Sequence, residues 1–135
     1  MLYFAYGSNL NHFQMKRRCK DSTFLKKINL KNYRLTFRSK YRAADIESKK
    51  NFIVPGGLFE ISKSDEKKLD IYEDYPNLYK KYYFYYYGKK IMTYTMVNKT
   101  IFKFPTERYL NVVKKGYKDC GLKQKYLIKA LIQKR

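Results

Sequence analysis

A carboxylate at position 73 and a glycine bend at position 7 are the residues best placed by type and spacing to do chemistry. In Leu69-Asp70-Ile71-Tyr72-Glu73-Asp74-Tyr75-Pro76, Leu69 and Glu73 stand one helical turn apart. They share a face, so the Glu73 carboxylate can turn toward the core. The last turn of a helix carries partial negative charge, which disfavours an ionised carboxylate. Burial among tyrosines acts in the same direction. Both effects raise its pKa toward the range of a general acid/base. A surface glutamate before a proline stop fits the same letters, and Asp70 and Asp74 read as solvated or capping groups. At the other end, Gly7-Ser8-Asn9 is a tight turn between an apolar run and a helix. Glycine there permits backbone shapes closed to other residues. N–H groups unpaired at a helix N-terminus bind carboxylate or phosphate. An ordinary strand-to-helix connection is the alternative. The glycines are too few for a Rossmann or P-loop pattern. His12 is the only histidine, which excludes a His-rich zinc site and any triad needing another histidine. Cys19 and Cys120 are too far apart in sequence for metal-ligand spacing or a disulfide framework and read as small buried hydrophobes.

The elements that must position these groups follow from periodicity. The 135 residues have room for a single domain, 1–135. Met1–Tyr6 reads as a buried strand. Asn11 with Gln14 forms a capping-box pattern, and Leu10 with Met15 a hydrophobic staple, so a helix is expected over His12–Cys19. Ile28–Phe37 and Phe52–Ile61 read as strands, with Pro55-Gly56-Gly57 marking a bulge or an edge. Ser62 and Asp65 make a second capping box, opening a helix that Pro76 stops. Tyr79–Tyr87 and Ile91–Val97 are strands joined by a loop at Gly88-Lys89-Lys90. Pro105-Thr106 opens a helix with Tyr109, Leu110 and Val113 on its apolar face and Gly121 at its end. Tyr126–Ile132 forms a last helix. The expected class is α+β: a small mixed β-barrel with flanking helices.

Thirty-one basic against eleven acidic residues give a net charge of +20. Such an excess suits a polyanion partner. Yet 24 are lysines and seven arginines, spread from Lys16 to Lys134, and specific phosphate readers favour the arginine fork. A solvated lysine surface is the simpler reading, with no nucleic acid expected. The aromatic run Tyr82–Tyr87 alternates between sheet faces, so at most half of it could form one stacking platform. No apolar run approaches a membrane span, and Met1–Gly7 has no secretory pattern. A cytoplasmic protein without membrane contact is expected.

Tyr3-Phe4-Ala5-Tyr6-Gly7-Ser8-Asn9-Leu10 resembles the YGSN signature of the γ-glutamylcyclotransferase-like (AIG2-like) family. Pro55-Gly56-Gly57-Leu58-Phe59-Glu60-Ile61, Leu69-Asp70-Ile71-Tyr72-Glu73, Tyr79 and Pro105-Thr106-Glu107-Arg108-Tyr109 continue the likeness in order over essentially the whole chain. The resemblance implies the family's small mixed barrel and a cofactor-free, metal-free reaction. In it, the α-amino group of a γ-glutamyl amide attacks its own side-chain carbonyl, releasing 5-oxoproline and an amine or amino acid. It assigns Glu73 as the catalytic residue. It assigns substrate binding to Tyr3, Phe4, Ala5, Tyr6, Gly7, Ser8 and Asn9, with Tyr109 and Tyr79 orienting the small-molecule substrate. Selectivity for the leaving amine is expected in a wall built from Tyr79–Val97. The family often has glycine where this chain has Asp74, a carboxylate that either repels Glu73 or points to solvent. The rival readings are a non-catalytic binder of γ-glutamyl metabolites and a basic nucleic-acid-binding protein.

Overall fold

A computed structural model describes residues 1–132. In chain order it contains β1 (Leu2–Ala5), a 3-10 turn (Ser8–Leu10), α1 (His12–Arg18), β2 (Thr23–Arg38), β3 (Ala43–Glu60), α2 (Lys63–Tyr72), β4 (Tyr79–Tyr86), β5 (Lys89–Met96), α3 (Glu107–Cys120) and α4 (Gln124–Leu131). The class is α+β, a five-stranded sheet of order β2-β3-β1-β5-β4 with four flanking helices. β1 runs antiparallel to β3 and parallel to β5, so the short first strand lies at the centre. Its backbone is paired on both sides, which suits its apolar sequence. The sheet curls without a closed backbone ladder. Its outer strands meet through side chains, with Tyr33 and Tyr82 hydroxyls 2.8 Å apart.

Several elements differ from expectation. β2 and β3 form one long hairpin that extends the expected strands at Ile28–Phe37 and Phe52–Ile61. The added part is polar, so it carries little apolar alternation. Ion pairs join it across the ladder: Arg34 and Arg38 both reach Glu47. The bulges fall between Phe24 and Lys26 and between Lys31 and Tyr33, not at Pro55-Gly56-Gly57. Pro55 is tolerated because β1 pairs with β3 only from Gly57 onward, which leaves Pro55 with a neighbour on one side. The β4–β5 turn is Tyr87-Gly88 rather than Gly88-Lys89-Lys90. Both residues have positive φ, 47° and 76°, which matches the twist of a two-residue hairpin. Alternation along β4 exposes Tyr83 and Tyr85 and half-buries Tyr82, Phe84 and Tyr86.

The helices are capped largely as the sequence indicates. Ser62 and Asp65 form the reciprocal box on α2, and Thr106 caps α3. Gly121 follows α3 in the left-handed conformation, φ 72°. Asn11 caps α1 through Gln14 N–H, but the N–H of Asn11 bonds to the Ser8 carbonyl, so half of the expected box forms. α2 ends at Tyr72, before Pro76 could stop it. Asp74 turns the chain there with φ 51°, the left-handed exit common after helices. Gly116 lets α3 approach the 3-10 turn. A Cβ there would lie 2.6 Å from Asn11 N and 2.6 Å from Leu10 Cβ. Both cysteines are buried and free, and burial pushes each thiol up to about 12. No described helix is long and apolar enough to cross a membrane.

Candidate active site

The curl of the sheet leaves a cavity of about 520 Å³ between the end of β1, the β2–β3 connection, the end of α2 and the start of α3. The end of α2 brings Glu73 to it. The N–H of Glu73 still bonds to the Leu69 carbonyl at 2.8 Å, so it keeps the helical phase of the fully buried Leu69. Lys81 and Tyr94 hold α2 to the sheet from behind. Lys81 Nζ donates to Glu66 at 2.9 Å and Asp70 at 3.1 Å, and Tyr94 OH donates to Asp70 at 2.6 Å. Asp70 is therefore an anchor rather than a solvated group.

The opposite wall is the turn Gly7-Ser8-Asn9. Gly7 sits in close approach: a Cβ would lie 3.0 Å from Ala44 Cβ and 3.1 Å from Tyr109 OH, so both neighbours would have to give way. Two donors in the first turn of α1 are engaged, His12 N–H by Asp119 and Gln14 N–H by Asn11. The 3-10 turn lies on the cavity instead, and the N–H groups that open such a turn have no intrahelical acceptor. Asn9 is fixed from both ends of its amide: Nδ2 donates to Tyr3 OH at 3.0 Å, and Oδ1 accepts from Arg18 at 2.5 Å.

Tyrosines close the space. Tyr79 OH donates to the Ala44 carbonyl at 2.6 Å, and Tyr109 OH accepts from Ala44 N–H at 3.0 Å. Tyr6 OH donates to the Tyr94 carbonyl at 2.6 Å. Burial raises the pKa of Tyr3, Tyr6, Tyr79, Tyr94 and Tyr109, with Glu73 adding to each. These phenols are neutral donors and acceptors around the acid. Glu73 itself is half-buried. Burial lifts its carboxyl from 4.5 to about 7, against the opposing pull of Arg18. Asp74 is exposed at the cavity mouth.

Of the residues singled out in the sequence, Tyr3, Tyr6, Gly7, Ser8, Asn9, Glu73, Tyr79 and Tyr109 line one cavity. Phe4 and Ala5 do not. Alternation turns Phe4 away from Tyr3, and it packs edge-on against Phe84, while Ala5 is buried. The outer wall is not built mainly from Tyr79–Val97. Tyr41 from the β2–β3 connection, Ile71 and Tyr72 from α2, and Leu78 form much of it. Sequence reading missed Tyr41 and Arg18. Neither sits in a motif, and nothing in the sequence pairs Arg18 with Tyr72. Among the described residues no group of three or more His, Cys, Asp or Glu side chains could hold a metal ion.

A family model described as "Gamma-glutamyl cyclotransferase, AIG2-like" matches residues 3–116. Among solved structures, one titled "Gamma-glutamyl cyclotransferase" superimposes with a TM-score of 0.81 at 24% identity, covering 99% of this chain and 88% of its own. An uncharacterised human protein, loc79017, gives 0.80 at 25% identity, covering 98% and 87%. A mouse AIG2-like protein gives 0.59 at 17% identity, covering 81% of each. No curated protein sequence matches.

Proposed function

This chain belongs to the γ-glutamyl cyclotransferase, AIG2-like family, and on that premise we propose that it cyclises γ-glutamyl amides to 5-oxoproline with Glu73 as the proton-transfer group. One observation carries the reading. A carboxyl whose pKa burial lifts to about 7 opens on the same cavity as the Gly7 turn.

Nucleophile and electrophile belong to one molecule, so the first task is to fold the substrate into attack geometry. The substrate's α-carboxylate is anchored by the N–H groups of the 3-10 turn. Tyr79 and Tyr109 border the γ-glutamyl unit and restrict its rotation. The α-ammonium carries no lone pair, so it must lose a proton before attack. Ionised Glu73 takes that proton. An acid with a pKa near 7 is still substantially ionised at neutral pH and returns the proton readily. The α-nitrogen bonds to the side-chain carbonyl carbon, and its oxygen takes on negative charge that the turn's N–H groups stabilise. The carbon–nitrogen bond to the leaving amine then breaks. Protonated Glu73 delivers the proton to that nitrogen, because an amide anion is a very poor leaving group. The regenerated carboxylate takes the second proton from the ring nitrogen and passes it to the departing amine, which leaves as an ammonium, so the lactam N–H forms and Glu73 ends ionised. Neutral phenols suit this role, since they restrict water without competing for the proton.

The test is incubation of purified protein with γ-glutamyl amino acids, γ-glutamylamines, isopeptides and glutathione, followed by mass spectrometry for 5-oxoproline. Lactam release from at least one class is expected. No lactam from any of them refutes the proposal.

A further inference from the structure

Arg18 ends α1 and does not line the cavity, yet it touches both of the cavity's key walls. Its Nη1 donates to Ser8 Oγ at 3.1 Å and to Asn9 Oδ1 at 2.5 Å. Its guanidinium carbon lies 3.3 Å from the centre of the Tyr72 ring. Tyr72 OH in turn sits 3.3 Å from Ser8 Oγ. These contacts close a circuit: α1 to the 3-10 turn, the turn to the last residue of α2, and that residue back to α1. Glu73 is the next residue along the chain. The planar fork of arginine satisfies two acceptors while its face stacks on a ring, which a lysine ammonium cannot reproduce. A mobile surface cation would hold no such fixed geometry.

We propose that Arg18 is a positioning residue: it locks the Ser8-Asn9 turn to the end of α2, fixing the substrate anchor relative to the Glu73 carboxyl. The proposal rests on the cyclotransferase reading for its consequence in turnover, but the geometry stands without it. The charged and titratable groups around Glu73 make the effect readable. From β1 and the residue after it, β4, β5 and α3 it is faced by Tyr3, Tyr6, Tyr79, Tyr94 and Tyr109, all neutral phenols. On α2 itself, Asp70 is engaged by Tyr94 and Lys81, and Asp74 stands exposed at the mouth. Arg18 is the cation whose field reaches the carboxyl and opposes burial.

The experiment compares wild type, Arg18→Met and Arg18→Lys in the full chain, after thermal melts establish that each folds. Three quantities are read: 5-oxoproline affinity by calorimetry, the Glu73 titration midpoint by carboxyl 13C NMR, and kcat and KM wherever turnover occurs. Arg18→Met should weaken 5-oxoproline binding about tenfold, the scale of losing a charge-assisted hold. KM should rise by a similar factor. Its Glu73 midpoint should move upward by about half a pH unit or more. Arg18→Lys restores the charge, so the midpoint should return toward wild type while the affinity stays reduced. Wild-type affinity in Arg18→Met overturns the proposal, whatever the Glu73 midpoint. If that variant does not fold, Arg18→Lys decides: undiminished affinity overturns the proposal and reduced affinity supports it. If the wild type makes no lactam and binds no 5-oxoproline, the cyclotransferase reading fails. The crystal structure of Arg18→Met then decides the Arg18 assignment alone: a Ser8-Asn9 turn unmoved relative to the Glu73 carboxyl overturns it, and a displaced turn supports it.

Discussion

Replacing Glu73 by Gln should make the protein more stable at pH 8 and leave its stability unchanged at pH 4. The carboxyl rises from 4.5 to about 7 on folding because burial penalises its charge. Below pH 4.5 it is protonated in both folded and unfolded chains, and glutamate and glutamine are equivalent. Between 4.5 and 7 the unfolded chain ionises first and gains stability relative to the folded one. Above 7 the full penalty is present. A shift of this size corresponds to roughly 3 kcal/mol. The side chain is half-buried and solvent screening reduces the penalty, so about 1–2 kcal/mol is the working figure. For a chain of this length that is about 4–8 °C in melting temperature. Thermal unfolding of both proteins at pH 4 and pH 8 measures it. An equal difference at the two pH values, or a less stable Gln variant at pH 8, refutes the argument that burial tunes this acid.

Gly7→Ala should raise KM or 5-oxoproline Kd by tenfold or more and cost about 1–3 kcal/mol of stability, because the new methyl meets Ala44 Cβ and Tyr109 OH; calorimetry and melting check both. Wild-type binding in that variant would contradict the close approach. Asp74→Gly should stabilise by about half a kcal/mol, since glycine accepts the left-handed φ of 51° at less strain but more entropy cost. Its pH–rate midpoint should match wild type, and a marked fall of that midpoint would show that Asp74 repels Glu73.

The site was legible where it rests on short, local chemistry. The opening strand and turn form one contiguous segment, and the Ser62–Asp65 box announces α2 and hence the phase of Glu73. The Gly7 turn and Tyr109 are distant in sequence, but Gly7 and the Thr106 cap each leave a local mark. What escaped notice is held by non-local pairing. The 43–51 segment is strand because Glu47 pairs with Arg34 and Arg38 across the hairpin, and Ala-Ala-Asp-Ile-Glu-Ser-Lys-Lys-Asn has weak strand character by itself. Tyr87 occupies a left-handed turn position that its aromatic type does not advertise. Arg18 reads as an ordinary cation in the last turn of a helix, and only the fold brings Tyr72 beneath it. The letters alone do not say which N–H groups meet an anion, because only the fold brings Asp119 to the His12 N–H of α1.

The most direct measurement is the pH dependence of lactam release, followed by mass spectrometry, for wild type and Glu73→Gln. For the wild type, kcat/KM should fall on the acid side with a midpoint near 7, where burial sets the carboxyl, and the Gln variant should release no 5-oxoproline while still binding it. Undiminished turnover by Glu73→Gln would contradict the assignment of proton transfer to that side chain.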